Sequence, residues 1–264
     1  MHVARKRFGQ HFLHDPGIIG RIISAIAPRA DDPMVEIGPG LGAITLPLLG
    51  HLRTLDAIEI DRDAIRHLKQ VTSDPVAGRG ILRIHEADAL EFDISTLRRG
   101  DEPLRLVGNL PYNISTPLLF RLIEQGQHIR DMHFMLQKEV VDRMAAKAGD
   151  DAYGRLSVML APWVRVEPLF DIGPGAFRPP PRVMSTFFRL KPHAAPPFAI
   201  DAPQRFAALV AAAFSQRRKT LRNSIKALAG EEQIRRAGID PAARAEVVTP
   251  EQFALLANLP AENG

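Results

Sequence analysis

Apolar residues recur along the first half of the chain in short unbroken runs, and most of these runs are followed by a stretch with helical spacing. The runs have the length of strands, and the stretches between them repeat apolar positions every three to four residues. Strands that alternate with helices are typical of a parallel, doubly wound sheet. The predicted strands are MVEI, LDAIEI, ILRIHEA, LRLVGN and HFMLQ, and the predicted helices are AITLPLLG, RDAIRHLKQV, PLLFRLIEQ and KEVVDRMAA.

Two later segments break this alternation. Residues 164–172 (VRVEPLFDI) and 182–190 (RVMSTFFRL) have a period of two, with the turn-rich GPGAFRPPP between them. We predict that they form a β-hairpin that closes the sheet. The stretch KPHAAPPFAIDAP that follows is typical of a linker, and short helical patterns with Gly or Pro stops come after it. We therefore expect two domains, residues 1–194 and an all-helical domain of residues 195–264.

The composition is that of a soluble globular protein and excludes several kinds of chemistry. Of the 264 residues, 45% are hydrophobic and 24% are charged. The absence of cysteine excludes disulfides, thiolate metal sites and cysteine nucleophiles. No signal-peptide core and no run of the roughly 18 apolar residues of a membrane span is present, so we expect a cytoplasmic protein with no membrane association.

Charge is unevenly distributed, although the formal net charge is only +4. Acidic residues crowd the first half of the chain, whereas two basic segments contain no acid. A solvated surface is the ordinary explanation of such segments, but the lack of interspersed acids favours contacts with nucleic-acid phosphates. The candidate RNA-binding residues are Arg5, Lys6, Arg7, Arg217, Arg218, Lys219 and Arg222.

The segment VEIGPGLGA places three glycines, Gly38, Gly40 and Gly42, between the first predicted strand and the following helix. Glycines there allow a ligand to approach the backbone, and the spacing fits the dinucleotide fingerprint, although a structural turn would also account for it. Glu59 follows Gly40 by 19 positions and ends the next strand, where a carboxylate can accept both hydroxyls of a ribose. The alternative for Glu59 is a surface acid.

Asp88 lies at the end of the third strand, where it can accept a bond from an exocyclic amine such as that of adenine, or else cap a turn. Because the carboxyl ends of parallel strands meet at one edge, these polar groups together predict a slot for adenosine. NAD and S-adenosylmethionine both contain adenosine, so the slot does not choose between them.

The stretch GNLPYNIS, residues 108–115, ends the fourth strand at this same edge. The Asn109 side-chain oxygen and the Leu110 carbonyl could accept the two N–H groups of an adenine amine and orient its lone pair toward a methyl donor. Tyr112 could stack on the base, and Pro111 would fix the turn. Taken alone, residues 109–112 could also be a turn with a buried tyrosine.

With these features the chain resembles the ribosomal RNA adenine N6-methyltransferase family, in its bacterial small-subunit dimethyltransferase form. Motifs in the family's order carry the resemblance over nearly the whole chain, among them ARKRFGQHFL, VEIGPGLG, IEID, GNLPYNISTPL, AFRPPPRVMS, QRRKTLRNS and GIDPAARAE. The resemblance implies an α/β, Rossmann-like class I S-adenosylmethionine-dependent methyltransferase sheet with a C-terminal β-hairpin. It also implies that the small helical domain binds rRNA or the ribosomal subunit.

The resemblance further implies S-adenosylmethionine as cofactor and transfer of two methyl groups to N6 of each of two adjacent adenosines. These adenosines would lie near the 3′ end of small-subunit rRNA, within the assembling small ribosomal subunit. The implied donor contacts are His11, Leu13, Gly38, Glu59, Asp88 and Asn109. Asn109, Leu110 and Tyr112 would hold the adenine, with the Phe177 ring on its other face unless Phe177 is a core residue.

Two further expectations concern histidine and assembly. His11 stands where the family usually has asparagine, and it could pair with His14 on a metal only if a third ligand were present, so we predict no metal. Nothing in the sequence suggests an obligate dimer, and we expect a monomer.

Other functions are compatible with parts of this pattern. A large-subunit rRNA adenine methyltransferase of the antibiotic-resistance type would share the slot, but QRRKTLRNS and GIDPAARAE favour the small subunit. A DNA adenine methyltransferase, an NAD-dependent oxidoreductase and a mainly non-catalytic assembly factor of the small subunit are the remaining alternatives.

Overall fold

The computed structural model describes residues 11–73, 79–111, 114–216 and 218–260. The chain divides into two compact units. The first unit extends to Val141 and also includes Val166–Pro192, and the second consists of Asp142–Arg165 and the chain from His193 onward.

The first unit contains the central sheet and its helices. Its elements, of which α5 and β7 continue into the second unit, are β1 (Phe12–Leu13), α1 (Pro16–Ile26), β2 (Met34–Ile37), α2 (Thr45–Leu49), β3 (Thr54–Glu59), α3 (Arg62–Val71), β4 (Ile81–Glu86), β5 (Leu104–Asn109), α4 (Ser115–Glu124), β6 (Ile129–Gln137), α5 (Lys138–Ala145), β7 (Val164–Ile172), β8 (Phe177–Arg178) and β9 (Ser185–Pro192). Short 3-10 helices lie at Ile94–Leu97, Gly126–His128 and Pro174–Ala176.

The strands form a sheet in the order β4-β3-β2-β5-β6-β9-β7. The pairs from β4 to β6 are parallel, and β9 is antiparallel to β6. This confirms the predicted doubly wound sheet. β6 begins at Ile129, four residues before the predicted strand HFMLQ, because its first residues do not form an unbroken apolar run.

The closing hairpin is also confirmed, since β7 and β9 are neighbours in the sheet. The segment between them does more than turn, however. β8 leaves the sheet and pairs antiparallel with β1, so that Phe12 lies opposite Arg178 and Leu13 opposite Phe177. Strands of two residues carry no periodic signal, which is why the sequence did not predict this pair.

Helix α1 shows how local chemistry sets the bounds of an element. Asp15 caps its first turn by accepting the Ile18 N–H at 3.0 Å. The helix ends at Ala27, whose φ of 47° is left-handed and whose N–H donates to the Ile23 carbonyl. Its buried face packs into the core of the first unit.

A buried arginine ties α1 to the amino end of the sheet. Arg105, near the start of β5, donates to Asp131 at 2.9 Å and to Asp32 at 2.7 Å. Its third nitrogen donates to the Ile26 carbonyl at the end of α1, also at 2.7 Å. The charge is thus balanced by two carboxylates, and a helix carbonyl that would otherwise lack a partner accepts a bond.

The second unit is built from short helices around its own core. They are α6 (Arg155–Leu160), α7 (Pro203–Ala213), α8 (Leu221–Ser224), α9 (Glu231–Arg236) and α10 (Pro250–Asn258), with a 3-10 helix at Ala245–Val247. The central side chains include Phe206 of α7 and Phe253 of α10.

The expected division at residue 194 needs one correction. Residues 142–165, which we assigned to the first domain, belong to the second unit. The physical reason is burial: Tyr153 and Val158 lie in the helical core, and the Tyr153 hydroxyl donates to the Val248 carbonyl at 2.8 Å.

None of the helices in the ranges given above has the length and the apolar character that a bilayer-spanning helix requires.

Candidate active site

The glycine loop lies between β2 and α2 and depends on left-handed backbone conformations. Gly38, Gly40 and Gly42 have φ values of 66°, 54° and 87°. Residues with a side chain adopt these angles only at a cost in free energy. A side chain at Gly40 would also stand 3.4 Å from the Phe12 ring, so the loop and β1 lie close together.

Glu59, at the carboxyl end of β3, is bonded to this loop. Its carboxylate accepts the N–H groups of Gly40 at 3.1 Å, Ile60 at 2.9 Å and Asp61 at 2.8 Å. The side chain is buried, and burial raises its pKa although the three N–H bonds act to lower it. Glu59 is therefore a buried residue that is hydrogen-bonded to the loop, and not a surface acid.

Asp88 follows β4 and is half-buried. Its carboxylate oxygen Oδ1 accepts the Leu90 N–H at 2.9 Å, and its backbone carbonyl accepts the N–H groups of Glu91 and Phe92. These bonds make Asp88 the cap of a turn, the alternative considered from the sequence, and its role in ligand binding stays a prediction.

Asn109 ends β5, and its side chain has a defined orientation. The amide nitrogen Nδ2 donates to the His11 carbonyl at 3.0 Å. A carbonyl can only accept, so this bond also settles which end of the amide is nitrogen. The Leu110 side chain is buried, and the predicted role of its backbone carbonyl stays a prediction.

The β1–β8 pair brings the N-terminal residues of the predicted site to Asn109. The His11 ring donates through Nδ1 to the Pro179 carbonyl at 2.7 Å. Leu13 and Phe177 are both buried in the core of the first unit, where Phe177 is 2% exposed. The predicted stacking of Phe177 on a base stays a prediction, and it requires this ring to become exposed.

Two residues that the sequence analysis passed over lie beside Glu59. The strand register places Glu36 of β2 opposite Ala57 and Val107, so its side chain shares a sheet face with Glu59 and Asn109. Burial raises the pKa of Glu36 to about 8, with the charge of Glu59 acting in the same direction. An acid within the otherwise apolar run MVEI was a signal that could have drawn attention to it.

The second overlooked residue is Ile60, which follows Glu59 directly. Ile60 is 52% exposed, which is unusual for a large aliphatic residue next to a buried strand. An exposed aliphatic surface at this edge suits a flat ring.

Among the predicted RNA-binding residues, Arg218, Lys219 and Arg222 are exposed. Arg222 is paired with Glu231 at 3.1 Å, so the fold supplies an acid that is absent from the basic segment itself. Five predicted site residues lie outside the described ranges: Arg5, Lys6, Arg7, Tyr112 and Arg217.

The carboxyl edge of the parallel strands thus carries the glycine loop, the carboxylate bonded to it and the oriented amide. Together with a sheet closed by an antiparallel strand, these features define a Rossmann-like domain of the class I methyltransferase type.

Comparison with known proteins narrows this class. The family model described as ribosomal RNA adenine dimethylase matches residues 1–262. This chain belongs to that family, which confirms the resemblance and places it among methyltransferases acting on rRNA adenine and not among NAD-dependent oxidoreductases.

Individual relatives agree over nearly the full length. The chain is 58% identical to ribosomal RNA small subunit methyltransferase A of Methylococcus capsulatus, over 93% of each chain. It is 50% identical to the protein of the same name from Marinobacter nauticus, over 100% of this chain and 94% of that one.

Solved structures show the same architecture. A dimethyladenosine transferase from Plasmodium falciparum is similar with a TM-score of 0.73 and 26% identity, over 93% of this chain and 96% of that one. The 23S rRNA methyltransferase ErmE is similar with a TM-score of 0.71 and 27% identity, over 93% and 98%.

Proposed function

We propose that this protein transfers two methyl groups from S-adenosylmethionine to N6 of each of two adjacent adenosines near the 3′ end of small-subunit rRNA. The substrate would be the assembling small subunit, and the protein would act as a monomer in the cytoplasm. Family membership supports the reaction, and relatives named as small-subunit enzymes support the choice of subunit. The structural observation that carries the proposal is the orientation of the Asn109 amide.

Asn109 is oriented to accept bonds from the substrate amine. Because Nδ2 donates to the His11 carbonyl, the other end of the Asn109 amide is Oδ1, which is a hydrogen-bond acceptor. Oδ1 and the Leu110 carbonyl accept the two N–H groups of adenine N6 in this proposal. Holding both N–H groups draws the nitrogen toward a tetrahedral geometry and directs its lone pair at the incoming methyl group.

The residues around Glu59 fit the methyl donor. A carboxylate has about four acceptor positions, and N–H groups occupy three of those of Glu59, so a ribose hydroxyl can also be accepted. Among the residues that the structure describes, no atom beyond the chain neighbours of Gly38 lies within 4 Å of the position that a Cβ atom there would take, which leaves room for a ligand. Ile60 supplies an apolar surface for adenine. When bound, S-adenosylmethionine supplies an electrophilic methyl group on a sulfonium sulfur.

The remaining donor and base contacts rest on the family resemblance. We assign Asp88 and Leu13 to the donor site and Tyr112 and Phe177 to the two faces of the target adenine. Stacking on an aromatic ring is worth about 1–3 kcal/mol per base. The methylated amine is acidic enough to lose its proton to water, so the chain need not supply a general base.

The second unit supplies part of the proposed RNA contacts. Arg218, Lys219 and Arg222 present exposed charges to phosphates. The side chains of the Arg222–Glu231 pair are 47% and 43% exposed, so exchanging the pair for a phosphate costs little. Arg5, Lys6, Arg7 and Arg217 complete the proposed set.

Mass analysis of rRNA tests this function. We expect that incubating undermethylated small subunits with the protein and S-adenosylmethionine adds two methyl groups to each of two adjacent adenosines. Large subunits serve as the parallel sample. Methylation confined to large-subunit rRNA would contradict the proposal and support the antibiotic-resistance type of activity.

An Asn109→Ala variant separates catalysis from subunit binding. We expect turnover to fall by about 10²–10³, the usual effect of removing one oriented polar group from an active site, while subunit binding is retained. Gln127→Ala removes an exposed amide just before β6 and is the matched control, with turnover unchanged. If Asn109→Ala methylates at the rate of the control, Asn109 does not hold the amine.

A further inference from the structure

His11 joins two separate segments of the candidate site. Its ring nitrogen Nδ1 lies 2.7 Å from the Pro179 carbonyl, and its own backbone carbonyl accepts the Asn109 amide at 3.0 Å. Because a carbonyl oxygen cannot donate, the proton of this bond is on Nδ1. One residue thus contacts the segment after β8 through its side chain and the end of β5 through its backbone.

The neighbouring backbone keeps this junction in register. Leu13 pairs with Phe177, and the His14 N–H donates to the Ala176 carbonyl at 2.9 Å. The bond from the His11 ring to Pro179 extends this alignment beyond β1. It therefore fixes the position of the His11 carbonyl.

The position of that carbonyl matters for the chemistry of Asn109. An amide offers N–H groups at one end and an acceptor at the other, and the substrate amine requires the acceptor. If residue 11 shifted, the amide would lose its partner and could rotate. It would then present its own N–H groups to the N–H groups of the substrate, which repels them.

We propose that His11 is a positioning residue for methyl transfer. Its ring bond to Pro179 fixes the carbonyl that holds Asn109 with Oδ1 directed to the target amine. This inference rests on the proposed function. It differs from the direct donor contact predicted from the sequence, since here His11 acts through Asn109.

The chain offers a graded set of substitutions at this position. Nδ1 of histidine and Nδ2 of asparagine are attached to the same atom, Cγ, so His11→Asn keeps an N–H at nearly the same distance from the backbone. His11→Gln carries the same amide one carbon further out. His11→Leu keeps the branching at Cγ without a donor.

These variants separate positioning from donor binding. We expect His11→Gln and His11→Leu to lower kcat at saturating S-adenosylmethionine by about tenfold, the effect of one lost hydrogen bond. The Kd for S-adenosylmethionine, measured by calorimetry, should change by less than about twofold, because in this inference the His11 ring binds the Pro179 carbonyl and not the donor. His11→Asn should rescue most of the lost turnover.

Two results would overturn the inference. If kcat is unchanged in His11→Gln and His11→Leu, the ring bond does not act on the reaction. If the Kd for S-adenosylmethionine rises in these variants while kcat at saturation is kept, His11 contacts the donor directly.

Nitrogen NMR of the histidine ring in the wild-type protein provides a test that requires no variant to fold. We expect a proton on Nδ1 of neutral His11, and a ring protonated only on Nε2 would exclude the bond to Pro179. The wild-type methylation assay keeps the two questions apart. A wild-type protein that methylates no small-subunit adenosine refutes the proposed function, whereas the NMR result still reports on His11.

Discussion

At the scale of single residues, Gly108 determines how closely β5 can approach β2 just before Asn109. A Cβ atom at this position would lie 2.4 Å from the Ile37 carbonyl oxygen. That oxygen belongs to the backbone of a buried strand and cannot turn aside as a side chain can. The glycine therefore allows the strand spacing on which the position of the Asn109 amide depends.

Gly108→Ala is expected to destabilise the protein by about 2–3 kcal/mol, since overpacking forces the backbone of β5 or β2 to move. Denaturant titration measures this loss in the free energy of unfolding. Gly20→Ala is the control, because a Cβ there meets no atom of the described residues within 4 Å outside the backbone of its own helix. Within helix α1 it should leave stability unchanged or raise it by about 0.5–1 kcal/mol. Equal effects of the two substitutions would show that the approach at Gly108 is not tight.

The sequence identified Asn109 because a polar residue that ends a buried run is a local feature. It could not identify what the Asn109 amide bonds to. His11 is 98 positions away, and its carbonyl is a backbone group that every residue possesses. Glu36 is visible in the sequence, but a single acid inside the apolar run MVEI leaves the prediction of a strand unchanged. Glu36 was overlooked for that reason.

At the scale of elements, Arg105 joins a strand, a helix and two carboxylates at the amino end of the sheet. Its side chain is 8% exposed, and those of Asp32 and Asp131 are 5% and 14% exposed. Removing one partner from such a group leaves the others buried without compensation, which costs more than the intact group contributes.

Arg105→Met should therefore lower the free energy of unfolding by about 3–5 kcal/mol. Arg62→Met serves as the control. Its ion pair with Glu86 has side-chain exposures of 82% and 53%, and its loss should cost no more than about 1 kcal/mol. Chemical denaturation of both variants checks the difference, and similar losses would mean that Arg105 does not bind α1 to the sheet.

The elements themselves could be predicted where their pattern was long enough. The period of two over residues 164–172 and 182–190 predicted two strands, and the structure has β7 at Val164–Ile172 and β9 at Ser185–Pro192. The pair formed by β1 and β8 has two residues a side, too short for any period to appear. The pair forms because the backbones of two distant segments lie side by side. Secondary-structure propensities of single residues do not detect such a contact.

At the scale of the whole molecule, two buried groups give stability opposite dependences on pH. Burial raises the pKa of Glu36 from 4.5 to about 8, so its contribution is full below pH 4.5 and is lost as pH rises toward 8. Burial lowers the pKa of His133 from 6.5 to about 4, so its contribution is lost as pH falls through that range. The two slopes oppose each other between pH 4.5 and 6.5.

Of these two groups, only Glu36 changes the free energy of unfolding with pH above pH 6.5. We expect the free energy of unfolding to fall by about 2 kcal/mol from pH 6.5 to pH 8 through Glu36, at about 1.4 kcal/mol per pH unit. Glu36→Gln should remove most of this fall, whereas Glu102→Gln, which changes an exposed carboxyl, should retain it. Denaturation series at the two pH values decide between these outcomes.

The division into units was predictable only in part. The linker after β9 is rich in proline and alanine, and the sequence placed a boundary within two residues of the one observed at His193. Residues 142–165 belong to the helical unit because of tertiary contacts such as that of Tyr153 with Val248. This contact joins positions 95 apart. It is not accompanied by a change in composition where the chain passes from one unit to the other.

The bonds around His11 also bear on the order in which the protein becomes functional during synthesis. The bond to Asn109 closes a loop of 98 positions, and the bond to Pro179 closes one of 168. Contacts of such separation form late, because the chain between them must first be ordered. A nascent chain that has emerged only through β6 contains every parallel strand and His11, yet the segment around Pro179 that holds the His11 ring has not emerged. Sheet assembly thus precedes competence for methylation.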